Sequence, residues 1–211
     1  GLRCGPMPAD TPTAPTDAPA IPEHRVRLLQ GMARCAAERG FAATTIADIV
    51  REAGVSKRTF YEHYSSKEAC FLALYRSVSA SALRTLSAAV DPGRPWQTQV
   101  ESALGAYFAH LAAGPRLLRT LFVEVHHLGA EGALVRREVM QQLAGFMLQT
   151  VNRAVPGGGG GRALTPVMAM AAVGGINELV LQAIERGEAE LLGELTGPAS
   201  DIVRALTRMP A

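Results

Sequence analysis

Apolar side chains recur along most of this chain with the three- and four-residue spacing of amphipathic helices. The first such stripe begins near Glu23 and ends before Gly40, where a glycine favours a helix stop. A second stripe runs from residue 46 to residue 53, and Gly54 ends it. We find no segment with the alternating pattern of a half-buried strand. The pattern therefore predicts an all-α protein with about nine helices.

Polar residues, prolines and glycines mark where these helices begin and end. Thr45 and Asp48 have the spacing of a capping box before the second stripe, and Ser65–Glu68 predicts another at the start of a long helix. Glycine and proline also separate the later helices. The final helices are predicted over about residues 130–154, from Thr165-Pro166 to near Gly187, and from Gly197-Pro198 to before Pro210.

The first residues of the chain differ from the rest in composition. Residues 1–22 contain six prolines and no apolar period. Such a segment buries too little apolar surface to fold, so we predict a disordered tail over this range. The consecutive glycines over 157–161 predict a flexible loop between two later helices. The chain as a whole is 48% apolar, which is typical of a globular protein.

Residues 45–64 have the pattern of a helix-turn-helix. The first helix is predicted over Thr45–Ala53, the turn at Gly54-Val55 and the second helix over Ser56–Tyr64. We expect Phe60 to pack inward and Tyr61 to face outward. The second helix of such a motif can enter the major groove of DNA, where residues at its N-terminus reach base edges.

The polar residues of this second helix suit DNA recognition. Ser56, Lys57 and Arg58 stand at its N-terminus with donors for guanine edges or phosphates, and Thr59 adds a hydroxyl and a methyl group. The same residues also fit an ordinary surface helix with a solvated lysine and arginine. Glu62 is expected to face solvent or to pair with Arg58.

Further DNA contacts are expected on either side of that N-terminus. Tyr61 and His63, near the end of the second helix, have donors for the DNA backbone. Thr45 and Lys67 begin the flanking helices, and a helix N-terminus favours phosphate binding. Lys57 and Lys67 are the only lysines among 21 basic residues. The net charge of +2 by itself does not indicate a nucleic-acid partner.

The segment over residues 41–68, FAATTIADIVREAGVSKRTFYEHYSSKE, resembles the DNA-binding domain of the TetR family of repressors. Its most specific part is GVSKRTFYEHY followed by SKE, and the resemblance covers about Glu23 to Val78. It implies a three-helix DNA-binding domain over 23–81, an effector-binding and dimerisation domain over 82–211, and a homodimer on a palindromic operator of double-stranded DNA. The matching positions implied to contact DNA are Thr45, Lys57, Arg58, Thr59, Tyr61, His63 and Lys67.

Aromatic, methionine and other apolar side chains recur at helical spacing between residues 71 and 147. Tyr75, Tyr107 and Met147 belong to this stripe. The stripe fits two interpretations: a close-packed core, or an apolar cavity with a few polar groups for a small-molecule effector. The residues that we predict to bind an effector are Phe108, Leu111, Phe122, His126 and Phe146.

The penultimate predicted helix is rich in small residues, which allow helices to approach closely. Ala171 and Gly175 lie on it with Leu179, while Ile202 and Leu206 follow on the last helix. This pattern fits packing within one chain as well as a dimer interface. The family resemblance favours a homodimer through these two helices.

Few residues indicate other chemistry. We find no nucleophile arrangement, phosphate loop or paired carboxylates, so no residues support an enzyme or a cofactor. Adjacent residues on a helix point about 100° apart, which makes His126 and His127 a poor metal site. Cys4, Cys35 and Cys70 are too widely spaced for zinc. We expect Cys35 and Cys70 to be buried, reduced packing residues rather than redox sensors.

No stretch reaches the roughly 18 consecutive apolar residues of a membrane helix, and the first residues lack the apolar run of a signal peptide. We therefore expect a cytoplasmic DNA-binding regulator with no membrane partner. Two alternatives stay open within this class of protein. One is a DNA-binding protein without an effector, and the other is an activator with the same DNA-binding domain.

Overall fold

The computed structural model describes residues 22–154 and 163–207, and these residues form helices and connecting turns without a strand. The prediction of an all-α fold with about nine helices is confirmed for the described residues. The predicted tail, except Pro22, and the predicted glycine loop lie outside them. The helices are α1 (Glu23–Arg39), α2 (Ile46–Ala53), α3 (Lys57–His63), α4 (Lys67–Ala88), α5 (Trp96–Ala112), α6 (Pro115–Glu124), α7 (Gly129–Ala154), α8 (Pro166–Glu185) and α9 (Thr196–Thr207), with 3-10 segments at Val125–His127 and Ala189–Leu195.

The starts of α2 and α4 are fixed by side-chain caps. At α2, the hydroxyl of Thr45 accepts a hydrogen bond from the Asp48 N–H at 3.1 Å, and the Asp48 carboxylate accepts one from the Thr45 N–H at 3.0 Å. The predicted capping box is therefore confirmed. The second predicted box is wrong, because the cap of α4 is Ser66, which accepts from the Ala69 N–H at 3.0 Å. In a capping box the third helical residue returns a hydrogen bond to the N-cap N–H, and Ala69 at that position has no side-chain acceptor.

The turn between α2 and α3 depends on one glycine. Gly54 adopts the left-handed conformation, with φ 63° and ψ 39°. The next N–H, that of Val55, donates to the carbonyl of Val50 at 3.0 Å. This arrangement satisfies carbonyls at the end of α2 and allows α3 to begin three residues after Gly54. A residue with a side chain would be strained in this conformation.

Two hydrophobic cores are joined by the long helix α4. The N-terminal half of α4 enters the first core with Phe71 and Tyr75, and its C-terminal half enters the second with Ala82 and Leu86. The predicted domain boundary between residues 81 and 82 therefore falls inside a continuous helix. The largest fully buried side chains of the first core, here called the N-terminal core, are Leu28, Met32, Ile49, Phe60, Phe71, Leu121, Val125 and Val135.

The N-terminal core is completed by residues far along the chain. Leu121 of α6 and Val135 of α7 are both buried in it. In addition, the Thr120 hydroxyl donates to the carbonyl of Ala36 at 3.2 Å, and Arg116 donates to the carbonyl of Glu38 at 3.5 Å. Helix α6 thus contacts the end of α1 through packing and hydrogen bonds, so the two parts of the chain are mechanically connected.

Helix α1 lies close to the backbone of α2 at Gly31. A Cβ atom placed on Gly31 would lie 2.8 Å from the Ile49 carbonyl oxygen and 3.3 Å from the Ala53 nitrogen. Both of these are backbone atoms, which cannot move aside as a flexible side chain would. The close approach of the two helices therefore requires glycine at this position.

We expect Gly31→Ala to lower the free energy of unfolding by about 1–3 kcal/mol, because the added methyl group would overpack the α1–α2 contact. The matched control is Gly145→Ala in α7, where an added Cβ meets nothing within 4 Å. That control should instead raise the free energy by about 0.5–1 kcal/mol through the preference of helices for alanine. Urea denaturation followed by circular dichroism measures both. Equal effects of the two substitutions would contradict the proposed contact.

Candidate DNA interface and effector cavity

Helix α3 has one buried face and one exposed face. Phe60 is 0% exposed and Tyr64, just after the helix, is buried with it in the N-terminal core. Tyr61, on the opposite side, is 58% exposed, and Lys57 and Arg58 are also exposed. The buried pair holds the helix against the domain while its N-terminal basic residues remain accessible. A recognition helix needs this division of its surface.

The small polar residues at the start of α3 are partly used within the helix. The Ser56 hydroxyl accepts a hydrogen bond from the Thr59 N–H at 3.0 Å and lies 3.0 Å from the Thr59 hydroxyl. Ser56 therefore acts as the N-cap of α3, while one N–H group of its first turn is satisfied. His63 is half-buried beside the ring of Tyr64.

Arg58 and Glu62 form an ion pair on the exposed surface of α3. The distance from the Arg58 Nε to the Glu62 Oε1 is 3.2 Å, and the two side chains are 90% and 55% exposed. Both sequence interpretations of Glu62 are therefore met, since it pairs with Arg58 and also faces solvent. At such exposure the pair contributes little to stability. Its carboxylate nevertheless reduces the positive charge of this surface.

Lys67, predicted to contact phosphate, already makes two contacts within the protein. Its Nζ donates to the carbonyl of Phe41 at 3.0 Å and lies 4.3 Å from the centroid of the Phe41 ring. These contacts fasten the start of α4 to the loop before α2. An ammonium group has three donors, so the hydrogen bond to Phe41 leaves others that could meet a phosphate.

Charged side chains form a network at the start of α2. The sequence predicted its capping box but not the arginines around Asp48. The Thr45 hydroxyl and N–H both donate to the carboxylate of Asp48 and, with Arg51 and Arg39 nearby, lower the pKa of Asp48 to about 2. The distance from Arg39 Nη1 to Asp48 Oδ1 is 3.3 Å. Thr45 itself is exposed. Its hydroxyl hydrogen is directed to Asp48, so the hydroxyl is not a free donor.

A cavity with a volume of about 80 Å³ lies between α4, α5, α7, α8 and α9. We call it the main cavity. A second and smaller cavity of about 20 Å³, here the inner cavity, lies between the middle of α4 and helices α5, α6, α7 and α8. Both are lined mainly by apolar side chains, and the main cavity also contains the side chains of Trp96, Gln99 and Asn177.

The structure does not bring the five predicted effector residues into one cavity. Phe146 lines the main cavity, whereas Leu111 and Phe122 line the inner one. Phe108 is fully buried in the second core and borders neither cavity. His126 is exposed outside both cavities, because Val125 takes the buried position in the 3-10 turn. The five residues therefore do not form a single constellation, and their role in effector binding stays a prediction.

Other residues that line the main cavity were only partly signalled by the sequence. Tyr107 and Met147 belong to the apolar stripe and do line it. Trp96, Gln99 and Asn177 were missed, because a polar or amphipathic residue on a predicted helix is ordinarily assigned to the surface. Burial raises the pKa of the Tyr107 phenol, which keeps its hydroxyl neutral as a hydrogen-bonding group.

The predicted dimer residues lie on the outer surface of the last helices. Ala171 and Gly175 are exposed, while Leu179, Ile202 and Leu206 are half-buried. A Cβ atom on Gly175 would meet nothing within 4 Å. Packing within one chain therefore does not explain the small residue at Gly175.

Helix α8 is the one helix among the described residues that is long and apolar enough, by composition, to cross a membrane. One of its faces is nevertheless packed in the second core through Ala169, Val173, Ile176 and Val180. The core helix of a globular domain has the same composition.

An exposed basic recognition helix on an all-helical scaffold defines a helix-turn-helix DNA-binding transcriptional regulator. Residues 28–74 match the family described as bacterial regulatory proteins, tetR family. The HTH-type transcriptional repressor KstR2 of Rhodococcus jostii is 30% identical over 160 residues, which are 64% of this chain and 78% of that protein. The chain belongs to the TetR family of transcriptional regulators. The relatives named here are transcriptional regulators.

Other relatives match over a shorter range. The uncharacterized HTH-type transcriptional regulator YerO of Bacillus subtilis is 35% identical over 89 residues, which are 41% of this chain and 30% of that protein. The HTH-type transcriptional repressor AcnR of Corynebacterium efficiens is 35% identical over 63 residues, which are 30% of this chain and 34% of that protein. This chain therefore matches only about a third of the length of these two relatives.

Solved structures with low sequence identity have the same fold. The fatty acid degradation regulator FadR from Bacillus halodurans aligns with a TM-score of 0.71 at 17% identity, covering 90% of this chain and 96% of that one. FadR from Bacillus subtilis in complex with stearoyl-CoA also aligns with a TM-score of 0.71, at 15% identity, covering 84% of this chain and 96% of that one. Both similarities extend over the DNA-binding and C-terminal helices.

We expect the Asp48 carboxylate to stabilise the fold in a pH-dependent way. Because its pKa is about 2 in the folded protein, below the ordinary value of about 3.9, its contribution is present above about pH 4 and is lost as the pH falls towards 2. The free energy of unfolding of the wild type should exceed that of Asp48→Asn at neutral pH, and the difference should shrink below about pH 4.

Urea denaturation at a series of pH values measures this difference. Glu190→Gln serves as the control, because Glu190 is exposed and lies on the distant 3-10 segment. A difference between wild type and Asp48→Asn that stays constant down to pH 3 would show that the charge of Asp48 has no stabilising role.

Proposed function

We propose that this protein is a repressor that binds a palindromic operator as a homodimer and is released from it by a small-molecule effector. The observation that carries the proposal is the division of α3, whose buried Phe60 fixes the helix while Lys57, Arg58 and Tyr61 remain exposed. Two of the related proteins are repressors, which supports repression rather than activation. The place of action is the cytoplasm, where the operator is.

The roles in DNA binding follow from position on the motif. Lys57 and Arg58, at the N-terminus of α3, are placed to read base edges, and guanine is the preferred partner of such side chains. Ser56 and Thr59 lie on the same first turn. Four further positions contact phosphates and so set the register. Tyr61 and His63 lie towards the C-terminal end of α3, whereas Thr45 and Lys67 begin the helices on either side of it.

The effector proposal is supported by the main cavity. Its lining is apolar with a few polar groups, which is the composition of small-molecule sites. FadR from Bacillus subtilis, which has a similar fold, is in complex with stearoyl-CoA, and this supports a small-molecule effector for the present chain. Leu86 and Val90, at the end of α4, border the main cavity. The same helix begins beside the recognition helix.

The dimer proposal is supported by the outer faces of α8 and α9. Val167 is 79% exposed, and the exposed Ala171 and Gly175 continue the same side of α8. Apolar and small residues that are not used within the protomer are suited to a two-fold contact with a second copy. A dimer places two recognition helices on half-sites one or more helical turns apart.

Selection of genomic DNA fragments by the purified protein tests the proposal. We expect the recovered fragments to share an inverted repeat, which we call the operator, and the neighbouring genes to be transcribed more strongly when the regulator gene is deleted. Fragments without a shared repeat would contradict operator binding. Weaker transcription after deletion would identify an activator.

We expect Lys57→Ala and Arg58→Ala each to weaken operator binding by about 1–3 kcal/mol, and to relax specificity at a single base pair. Glu62→Gln should instead strengthen binding a few-fold, since it removes a negative charge and frees Arg58. Fluorescence anisotropy with labelled operator at several salt concentrations measures these changes. Glu190→Gln is again the control. Wild-type affinity in both alanine variants would contradict the role given to α3.

We expect Gly175→Leu to convert the dimer to monomers at micromolar concentration. The space around Gly175 within the protomer is open, so the leucine should leave the fold intact and act only on the contact with a second copy. Gly145→Leu is the matched control, because it also adds a side chain to an open helical position. Sedimentation velocity measures association and circular dichroism measures folding. A monomeric wild type that binds a single half-site would contradict the dimer.

A further inference from the structure

The main and inner cavities are neighbours separated by a thin partition. Three residues, Tyr107, Leu143 and Asn177, line both cavities. None of the three is fully buried, because each presents part of its side chain to empty space. A wall made of three side chains can open by rotamer changes, without movement of a helix backbone.

The inner cavity lies between the main cavity and the N-terminal core. Leu86 of α4 and Val90, just after the helix, border the main cavity. Tyr75 and Val78, two to three turns before Leu86 and closer to the recognition helix, border the inner one. The order along α7 agrees, since Val139 borders the inner cavity and Val151 the main one. The two spaces therefore follow each other along the bundle towards the DNA-binding domain.

The inner cavity touches the residues that complete the N-terminal core. Tyr75, Leu121 and Val139 line it and belong to that core. Thr120, next to Leu121, donates the hydrogen bond to Ala36 of α1. An occupant of the inner cavity would therefore press on α4 and on α6, the two helices that connect the C-terminal part to α1. An occupant of the main cavity alone would contact α4 only at its C-terminal end, away from the recognition helix.

The chemistry of the two linings restricts the ligand. The side chains are neutral in both cavities. The polar ones are Gln99 and Thr150 in the main cavity, Tyr75 and Ser79 in the inner cavity, and Tyr107 and Asn177 in both. The buried Nε1 of Trp96 is a donor without a partner among the described residues. A largely apolar path with a few neutral hydrogen-bonding groups along it suits an elongated aliphatic molecule with an uncharged oxygen-bearing group.

We infer that the two cavities form one site for an elongated aliphatic ligand, and that only a ligand long enough to pass the partition of Tyr107, Leu143 and Asn177 releases DNA. The inference rests on the proposed function as an effector-released repressor. Short ligands occupy the main cavity and bind both forms of the protein alike, so they shift no equilibrium. Long ligands enter the inner cavity and require the adjoining parts of α4 and α6 to move.

A series of straight-chain primary alcohols from hexanol to hexadecanol tests the inference on the full-length protein. Binding is measured by a change in melting temperature, and release by anisotropy of the labelled operator. We expect alcohols of every length to raise the melting temperature. Only those beyond a threshold length should weaken operator binding, by roughly 5–150-fold, the usual range of allosteric coupling.

Ser79→Leu examines the inner cavity separately, because the larger side chain points into that space from α4. In this variant long alcohols should still raise the melting temperature but should no longer release DNA. The matched control is Ser77→Leu, two residues away on the same helix, exposed and bordering neither cavity. It should show the wild-type length threshold. If Ser79→Leu fails to fold, the alcohol series with the wild-type protein still tests the inference.

Several results would overturn the inference while leaving the proposed function intact. These are release by short and long alcohols alike, release by long alcohols that is equal in Ser79→Leu and the wild type, and absence of binding at every length while another small molecule releases the operator. Binding of long alcohols without any release would also overturn it. Failure of the proposed function looks different, since the protein would then recover no shared operator at all.

Discussion

The long helix α4 is built into both hydrophobic cores, and the rest of the architecture depends on this sharing. Its first half packs around Phe71 and Tyr75 with the recognition helix, and its second half packs around Leu86 with the effector-side helices. A helix interior is stiff because every backbone N–H within it is bonded four residues back. A displacement at one end of α4 is therefore transmitted to the other end rather than absorbed at a linker.

The connection does not rest on α4 alone. Helix α6 contributes Leu121 to the N-terminal core and holds the last carbonyls of α1 through Thr120 and Arg116. The DNA-binding part is therefore a small domain whose core is closed by residues from the C-terminal part. A domain of this size buries a limited fraction of its surface, and the added apolar contacts from α6 and α7 compensate for that limit.

The recognition helix illustrates how little local stability a DNA reader needs. With the seven residues of Lys57–His63 it is too short to be stable by itself. The Ser56 cap, the left-handed Gly54 and the buried Phe60 hold it in place. Since its support comes from these residues, the outward positions are free to carry charge. Because support and recognition use different residues, substitutions at Lys57 and Arg58 can change DNA recognition without loss of the fold.

The sequence by itself determined the all-α class and the helix-turn-helix, because periodicity, caps and glycine stops are local properties. It also determined that Phe60 is buried and that Tyr61 is exposed. The Arg58–Glu62 ion pair could also be predicted from the sequence, since residues four apart on one helix are neighbours on its surface. Other features required the tertiary structure. The contact of Lys67 with Phe41 joins residues 26 apart, and the path of two cavities arises where helices from distant parts of the chain leave space between them. Apolar spacing shows only that a residue faces inward, so it could not distinguish Phe108, which is close-packed, from Phe146, which lines a cavity.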